Sequence, residues 1–205
     1  AMKPDDLPIV FFAGHGVKPR DDADMVFVTG GAKLSSDGGV TADSLRRDGI
    51  SWTTIGGALA KARGRVVVLL DACHSGHVSQ KLVVPNEALA TALVRDQRAG
   101  AIVFAASKGR QPSYEGGTPR GMTRIGGDAT SVRYSKEEPH GFFTGALLAS
   151  LADVATDRND DKLLQLSEII DDVSYRVTRA SGGKQTPWVA RRELIGDFAV
   201  TAAPR

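Results

Sequence analysis

Two residues able to break an acyl bond each follow a short apolar run in this chain. His15 follows residues 7–13 (LPIVFFA) within Gly14-His15-Gly16. Cys73, the only cysteine among 205 residues, follows residues 65–70 (RVVVLL) within Asp71-Ala72-Cys73-His74-Ser75-Gly76. A thiol attacks a carbonyl carbon as its thiolate, and an imidazole beside it can stabilise that form and later protonate a departing amine. The glycines leave room for a peptide chain and expose backbone N–H groups; those of Gly16 and Cys73 suit the oxyanion of a tetrahedral intermediate. A lone cysteine after a strand is more often an inert core thiol, so it is the joint placement of the two residues that points to chemistry. A metal site is the competing reading, because His15, Cys73, His74 and His77 could converge. Zinc sites, however, carry paired cysteines or histidines at set spacings, and a single cysteine falls short of that.

The elements that must position the pair are short and alternate in type. Residues 7–13 and 65–70 are continuous apolar runs, as expected of strands buried on both faces. Residues 21–48 are rich in Gly, Ser and Asp around one apolar piece at 25–29, which predicts a surface excursion with a small hairpin strand and no part in the core. Ser51 can cap a helix over 52–62, with Ile55, Leu59 and Ala62 on one face and Gly64 at its end. Leu89, Leu93 and Val94 predict a helix over 86–98 stopped by Gly100, and residues 101–106 (AIVFAA) a third buried strand. Residues 107–139 hold six glycines and three prolines without a sustained period, which predicts a long loop. An apolar helix over 142–151, an amphipathic helix over 167–179 capped by Ser167, and strands at 188–190 and 198–201 follow. Strands alternating with helices give an α/β fold, a mostly parallel sheet flanked by helices, with functional groups at the carboxyl ends of the strands. One domain is expected over residues 1–205.

Composition excludes several classes. Lys and Arg number 26 against 24 Asp and Glu, a net charge of +2, and 41% of residues are hydrophobic. One cysteine cannot form an internal disulfide, which fits a reducing cytoplasm. No apolar run approaches the roughly 20 residues of a membrane helix, and no signal-type segment opens the chain, so a cytoplasmic protein without a membrane partner is expected. The basic residues are scattered among acidic ones and only 6% of residues are aromatic, so nucleic acid is not an expected partner.

The motifs FFAGHG and VVLLDACHSG resemble the His and Cys motifs of the caspase-like cysteine peptidases, the clan of metacaspases and bacterial orthocaspases. His15 and Cys73 are 58 residues apart, near the caspase-type separation of about 50. Residues 105–115 (AASKGRQPSYE) are similar to the clan's substrate loop, residues 140–151 (HGFFTGALLASL) to the helix that follows, and Gln185-Thr186-Pro187 to its late turn. The resemblance implies a caspase-like fold and a peptidase with His15 as general acid and base and Cys73 as nucleophile. The Gly16 and Cys73 amides would form the oxyanion hole. No cofactor is required, and the partner is a peptide or protein substrate.

Departures from the animal caspases sharpen this expectation. Those enzymes cut after aspartate and have Gln two residues before the nucleophile, where this chain has Asp71, as metacaspases do. Their Ser-Trp-Arg stretch reads Ser113-Tyr114-Glu115 here. A desolvated carboxylate attracts guanidinium or ammonium and repels acids. The resemblance therefore implies an S1 pocket of Asp71, Ser113, Tyr114 and Glu115 for Arg or Lys, with a solvated loop acid as the plainer reading of Glu115. An Arg-specific enzyme would find candidate self-cleavage sites at Arg120, Arg124 and Arg133 in its own glycine-rich loop. Family domains usually carry one or two strand-helix units before the histidine strand, so an upstream segment or another chain is expected to complete the sheet. Asp157, Asn159, Asp161 and Glu168 fill positions one, three, five and twelve of a calcium loop, but Lys162 stands at the sixth, where the turn requires glycine. A solvated acidic turn capping the next helix is expected there, with no metal, and calcium regulation elsewhere has no signature in the sequence. The expected enzyme is an orthocaspase-type endopeptidase that cuts after Arg or Lys through a thioester. The alternatives are a latent or non-catalytic module binding a peptide or partner, and a metal-dependent hydrolase.

Overall fold

The computed structural model describes residues 6–18, 24–33, 41–62, 64–72, 86–96, 101–108, 111, 113–114, 140–191 and 196–204. Three apolar runs become the parallel centre of the sheet: β1 (Ile9–Val17), β4 (Val66–Ala72) and β5 (Ala101–Ala105). Pairing runs in register from Ile9↔Val67 to Gly14↔Ala72, and from Val66↔Ala101 to Leu70↔Ala105. Strand periodicity divides β4 between two cores. Val66, Val68 and Leu70 pack with Trp52 and Ile55 of α2 (Trp52–Leu59) and with Leu89 and Leu93 of α3 (Asn86–Asp96). Val67, with Leu69 beside it, joins Ile102 and Leu166 on the opposite face. That face is covered by α4 (Phe142–Ala152) and α5 (Leu166–Ala180), where Phe143, Ala146, Ile169, Val173 and Val177 close over Phe104. Apolar residues on both faces are why these strands read as unbroken runs.

The remaining strands add antiparallel pairs to this parallel centre, so the sheet is mixed and mostly parallel, as expected. β2 (Val26–Val28) pairs antiparallel with the end of β1, and β3 (Ile50–Ser51) pairs with β2. β7 (Trp188–Arg191) runs antiparallel to β5, which gives the order β3-β2-β1-β4-β5-β7. The strand expected at 198–201 is β8 (Ala199–Ala202), which leaves this sheet to pair with β6 (Leu163–Gln165).

Two local expectations are corrected. Residues 21–48 do not all lie on the surface. Thr41 caps α1 (Ala42–Asp48) by accepting the Ser44 N–H, and Leu45 of that helix packs with Val17 and Val26 in a small core of its own. Two turns of helix amid Gly, Ser and Asp are too short for a period to register. The cap of α5 is not Ser167. Gln165 stands at the cap, and Glu168 accepts its backbone N–H at 3.0 Å and that of Arg158 at 2.8 Å, while Ser167 bonds to Asp197. Ser51 does cap α2, accepting the Thr54 N–H at 3.1 Å. No helix among the described residues is long and apolar enough to cross a membrane.

Candidate active site

The last pair of the β1–β4 ladder is Gly14↔Ala72, and His15 directly follows the first of these residues. His15 is partly buried and continues the strand opposite Val28 of β2. The glycines on either side of it are fixed by space. At Gly14, with φ of +147°, a Cβ would lie 3.0 Å from the Phe27 ring; at Gly16 it would lie 2.8 Å from Leu89 Cδ1. A side chain at Gly14 would also meet a conformation that L residues rarely adopt. Gly16 itself is buried opposite Phe27. Cys73 follows Ala72 in the sequence and lies outside the described residues, as do His74, His77, Glu115, Arg120, Arg124 and Arg133.

Asp71, Ser113 and Tyr114 are brought together. Strand parity turns Asp71 to the face covered by α4, where it is 3% exposed. Its Oδ1 accepts the Ser113 hydroxyl at 2.9 Å and its Oδ2 the Thr144 hydroxyl at 2.5 Å. Hydrogen bonds to a carboxylate oxygen are short and strong for their type. The carboxylate also sits against the first residues of α4: a Cβ at the capping residue Gly141 would stand 3.0 Å from Asp71 Oδ2. The unsatisfied N–H groups at a helix start carry partial positive charge, so α4 supports an anion there. The segment bearing Ser113 is sewn to the same helix, with Phe142 N–H donating to Tyr114 O at 2.8 Å and the Tyr114 and Phe142 rings 6.0 Å apart.

Sequence reasoning missed two residues of this arrangement. Thr144 lay within the quoted helix segment, and Gln185 within the late turn, without a role for either. Gln185 is fully buried; its Oε1 accepts the Tyr114 N–H at 2.8 Å and its Nε2 donates to Ala106 O at 2.9 Å. Beside it, Thr186 N–H donates to Gln111 Oε1 at 2.9 Å, so the late turn holds the substrate-loop segment at two points. The only available signal was polarity: a glutamine before Thr-Pro at the entry to an apolar strand. At the same edge of the sheet Asn86, fully buried, donates to Ser107 at 2.9 Å, while its Oδ1 has no partner among the described residues.

The candidate calcium loop behaves as a closed turn. Asp157 accepts the N–H groups of Asp161 at 3.2 Å and Lys162 at 2.9 Å, and Lys162, with φ of 69°, makes the bend where glycine would stand. Glu168 is turned inward to its capping bonds. Among the described residues no group of three His, Cys, Asp or Glu is placed to hold a metal ion.

A peptidase family model described as the caspase domain matches residues 1–199. The chain belongs to the caspase-domain family of cysteine peptidases. No curated protein matches it. The match spans β1 through the first residue of β8, so both strand-end motifs, the substrate-loop segment and the late turn of this caspase domain fall within it. Family membership makes a peptide or protein the substrate of the fold. It also accounts for a mixed, mostly parallel sheet with helices on both faces.

Proposed function

We propose that this caspase domain is an active endopeptidase that cuts after Arg or Lys, with Cys73 as nucleophile and His15 as general acid and base. The observation that carries the reading is the end of the β1–β4 ladder: Gly14↔Ala72 is the residue pair just before His15 in one strand and just before Cys73 in the sequence of the other. The Cys73 thiolate attacks the scissile carbonyl and the Gly16 and Cys73 N–H groups take the oxyanion. Collapse breaks the C–N bond as His15 protonates the leaving amine, giving a thioester. Water then attacks the thioester, His15 takes its proton, and Cys73 leaves. Specificity for a basic side chain is supported by Asp71, a buried carboxylate held by two hydroxyls at the same sheet edge. Ser113 and Tyr114 wall that pocket, and Glu115 follows them in sequence.

The test is labelling by a peptide chloromethylketone ending in Arg. Modification at Cys73, with loss of activity, is expected. Folded protein that stays unlabelled would instead favour the latent, partner-binding reading. Self-processing belongs to the same proposal: incubated active protein should show cuts after Arg120, Arg124 or Arg133 by intact mass, and Cys73→Ala protein none. An uncut, fully active chain would sink self-processing alone. The outer edge of β1 supports a further strand on the sheet. Among the described residues β2 pairs with the outer edge of β1 only at residues 15–17, which leaves the edge at residues 9–14 open to a further strand. Ile9 and Phe11, 47% and 44% exposed on one face of the same strand, leave apolar surface there as well.

A further inference from the structure

The Gln185 amide is oriented by partners that leave it no choice. Ala106 O can only accept and Tyr114 N–H can only donate, so Nε2 faces the first and Oε1 the second. The second hydrogen on Nε2 then points to Ser113 Oγ at 3.3 Å. A serine hydroxyl has one proton; with a lone pair occupied by Gln185, that proton goes to Asp71 Oδ1 at 2.9 Å. Donation therefore runs one way, from Gln185 through Ser113 to Asp71. The start of the relay is anchored as well, because Gln185 N–H donates to Ser181 Oγ at 2.9 Å in the turn after α5.

From these contacts we propose that Gln185 is a positioning residue that sets selectivity between Arg and Lys substrates by holding the Asp71 carboxylate in one plane through Ser113. The inference rests on the reading of Asp71 as the pocket carboxylate. Ser113 holds one oxygen and Thr144 the other, so the carboxylate cannot turn about its Cβ–Cγ bond without losing a bond. A guanidinium forms two parallel N–H···O bonds and needs that plane fixed. An ammonium is a compact point charge with rotatable donors and tolerates a turned carboxylate. Loosening the relay should therefore weaken Arg recognition and largely spare Lys, whereas removing the charge should weaken both.

The experiment measures kcat and KM on two peptides that differ only in Arg or Lys at the cleaved position. Gln185→Met, which keeps the volume and removes every amide bond, should lower kcat/KM for the Arg peptide by about tenfold, chiefly through KM, and for the Lys peptide by no more than about twofold. Ser113→Ala, which strips the bond from Asp71 itself, should lower kcat/KM for the Arg peptide at least as far and by more than for the Lys peptide, and the double variant should be no worse than Ser113→Ala alone, since both break one relay. Ser113→Ala also covers the case in which Gln185→Met does not fold, because it breaks the relay at the next bond and leaves the Gln185 bonds to Tyr114 and Ala106 in place. Equal losses on both peptides, or additive effects in the double variant, overturn the relay and leave Gln185 as a loop support. Asp71→Asn separates the two levels. If it lowers cleavage of both peptides while the Gln185 and Ser113 variants leave the ratio alone, the relay fails and the pocket stands. If it changes neither peptide, or wild-type protein cleaves neither, the pocket reading falls and the relay with it.

Discussion

Two carboxylate clusters on the α4–α5 side of the sheet are held in opposite ways. Asp71, at the carboxyl end of β4, accepts the hydroxyls of Ser113 and Thr144, one on each oxygen, and these neutral donors orient it. Asp153 and Asp172, at the far end of α4 and on α5, share the Arg176 guanidinium, 2.6 Å from Asp153 and 2.5 Å from Asp172. Thr156 Oγ1 adds a bond to Ser150 O at 2.8 Å, which ties the single turn Val154–Thr156 to the end of α4. In the second cluster opposite charges meet at a partly buried site, so it acts as a strut. In the first, neutral donors and a helix start hold an anion at the edge where functional groups of such sheets gather. A carboxylate is thus best read from what holds it together with how deeply it is buried.

Mutations should separate these clusters cleanly, with changes at the sheet edge altering turnover and changes at the strut altering stability. The largest effects belong to the proposed nucleophile and base. Cys73→Ala is expected to abolish cleavage and His15→Ala to lower it by several orders of magnitude, in both cases without unfolding the protein. Residues that act as one unit are not additive, so the double variant should be little worse than either. Near wild-type turnover by folded Cys73→Ala protein would falsify the mechanism.

Asp71→Asn comes next. Removing one partner of a buried charge pair costs about 2 to 5 kcal/mol in binding, so cleavage after Arg and Lys should fall by that amount relative to a peptide with a neutral residue there. The amide can still accept a hydroxyl bond but carries no charge. A wild-type preference for aspartate, or unchanged selectivity in the variant, would remove Asp71 from the pocket.

At the strut, Arg176→Met should spare selectivity and weaken folding. The Arg176 side chain is 13% exposed and the carboxylates beside it 36% and 17%. Breaking a fully buried pair costs about 3 to 5 kcal/mol and an exposed one at most about 1, so a loss near 2 kcal/mol is expected in urea denaturation. If the variant instead changes the Arg-to-Lys cleavage ratio at full stability, the division between strut and site is wrong.

How much of this was legible in the sequence follows the same division. β1, β4 and β5 announce themselves because burial on both faces demands unbroken apolar runs, and their ends fixed attention on His15, Cys73 and Asp71. Ser113 was reached through the resemblance of a whole segment. Thr144 and Gln185 were not singled out, since they meet their partners across 73 and 72 residues of chain. A bond from a hydroxyl or amide leaves no periodicity and no charge pattern. α1 and β6 went unread for another reason: seven and three residues are too few to display a period, and contacts made elsewhere in the chain hold them in place. The cap of α5 was assigned to Ser167 by residue type, whereas an inward-turned Glu168 supplies it, a choice made by packing.

The smallest expected effect tests the strut by pH. The Asp153 carboxyl is held below the ordinary carboxylate range by the Ala155 N–H, which it accepts at 3.0 Å, and then by Arg176. Burial alone would lower the Arg176 value, but its bonds to Asp172 and Asp153 outweigh that and raise it, so it stays charged throughout the acid range. A carboxyl depressed in the folded state contributes stability that is fully present above its unfolded value, about 4, and is lost as pH falls through the folded value. Asp153→Asn retains an acceptor for Ala155 N–H and lacks the charge. Because the side chain is 36% exposed, solvent screening limits the loss at neutral pH to about 0.5 to 1 kcal/mol. Urea midpoints for the two proteins should therefore differ at pH 7 and converge only at pH values below the unfolded value of about 4, as wild-type Asp153 gives up its charge. Acids that do not share Arg176 titrate alike in both proteins and cancel in the difference. A gap that stays constant between these pH values would mean that Asp153 acts through shape and the Ala155 bond alone. Arg176 would then be paired in energetic terms with Asp172 only, and the strut would reduce to a single i, i+4 pair on α5.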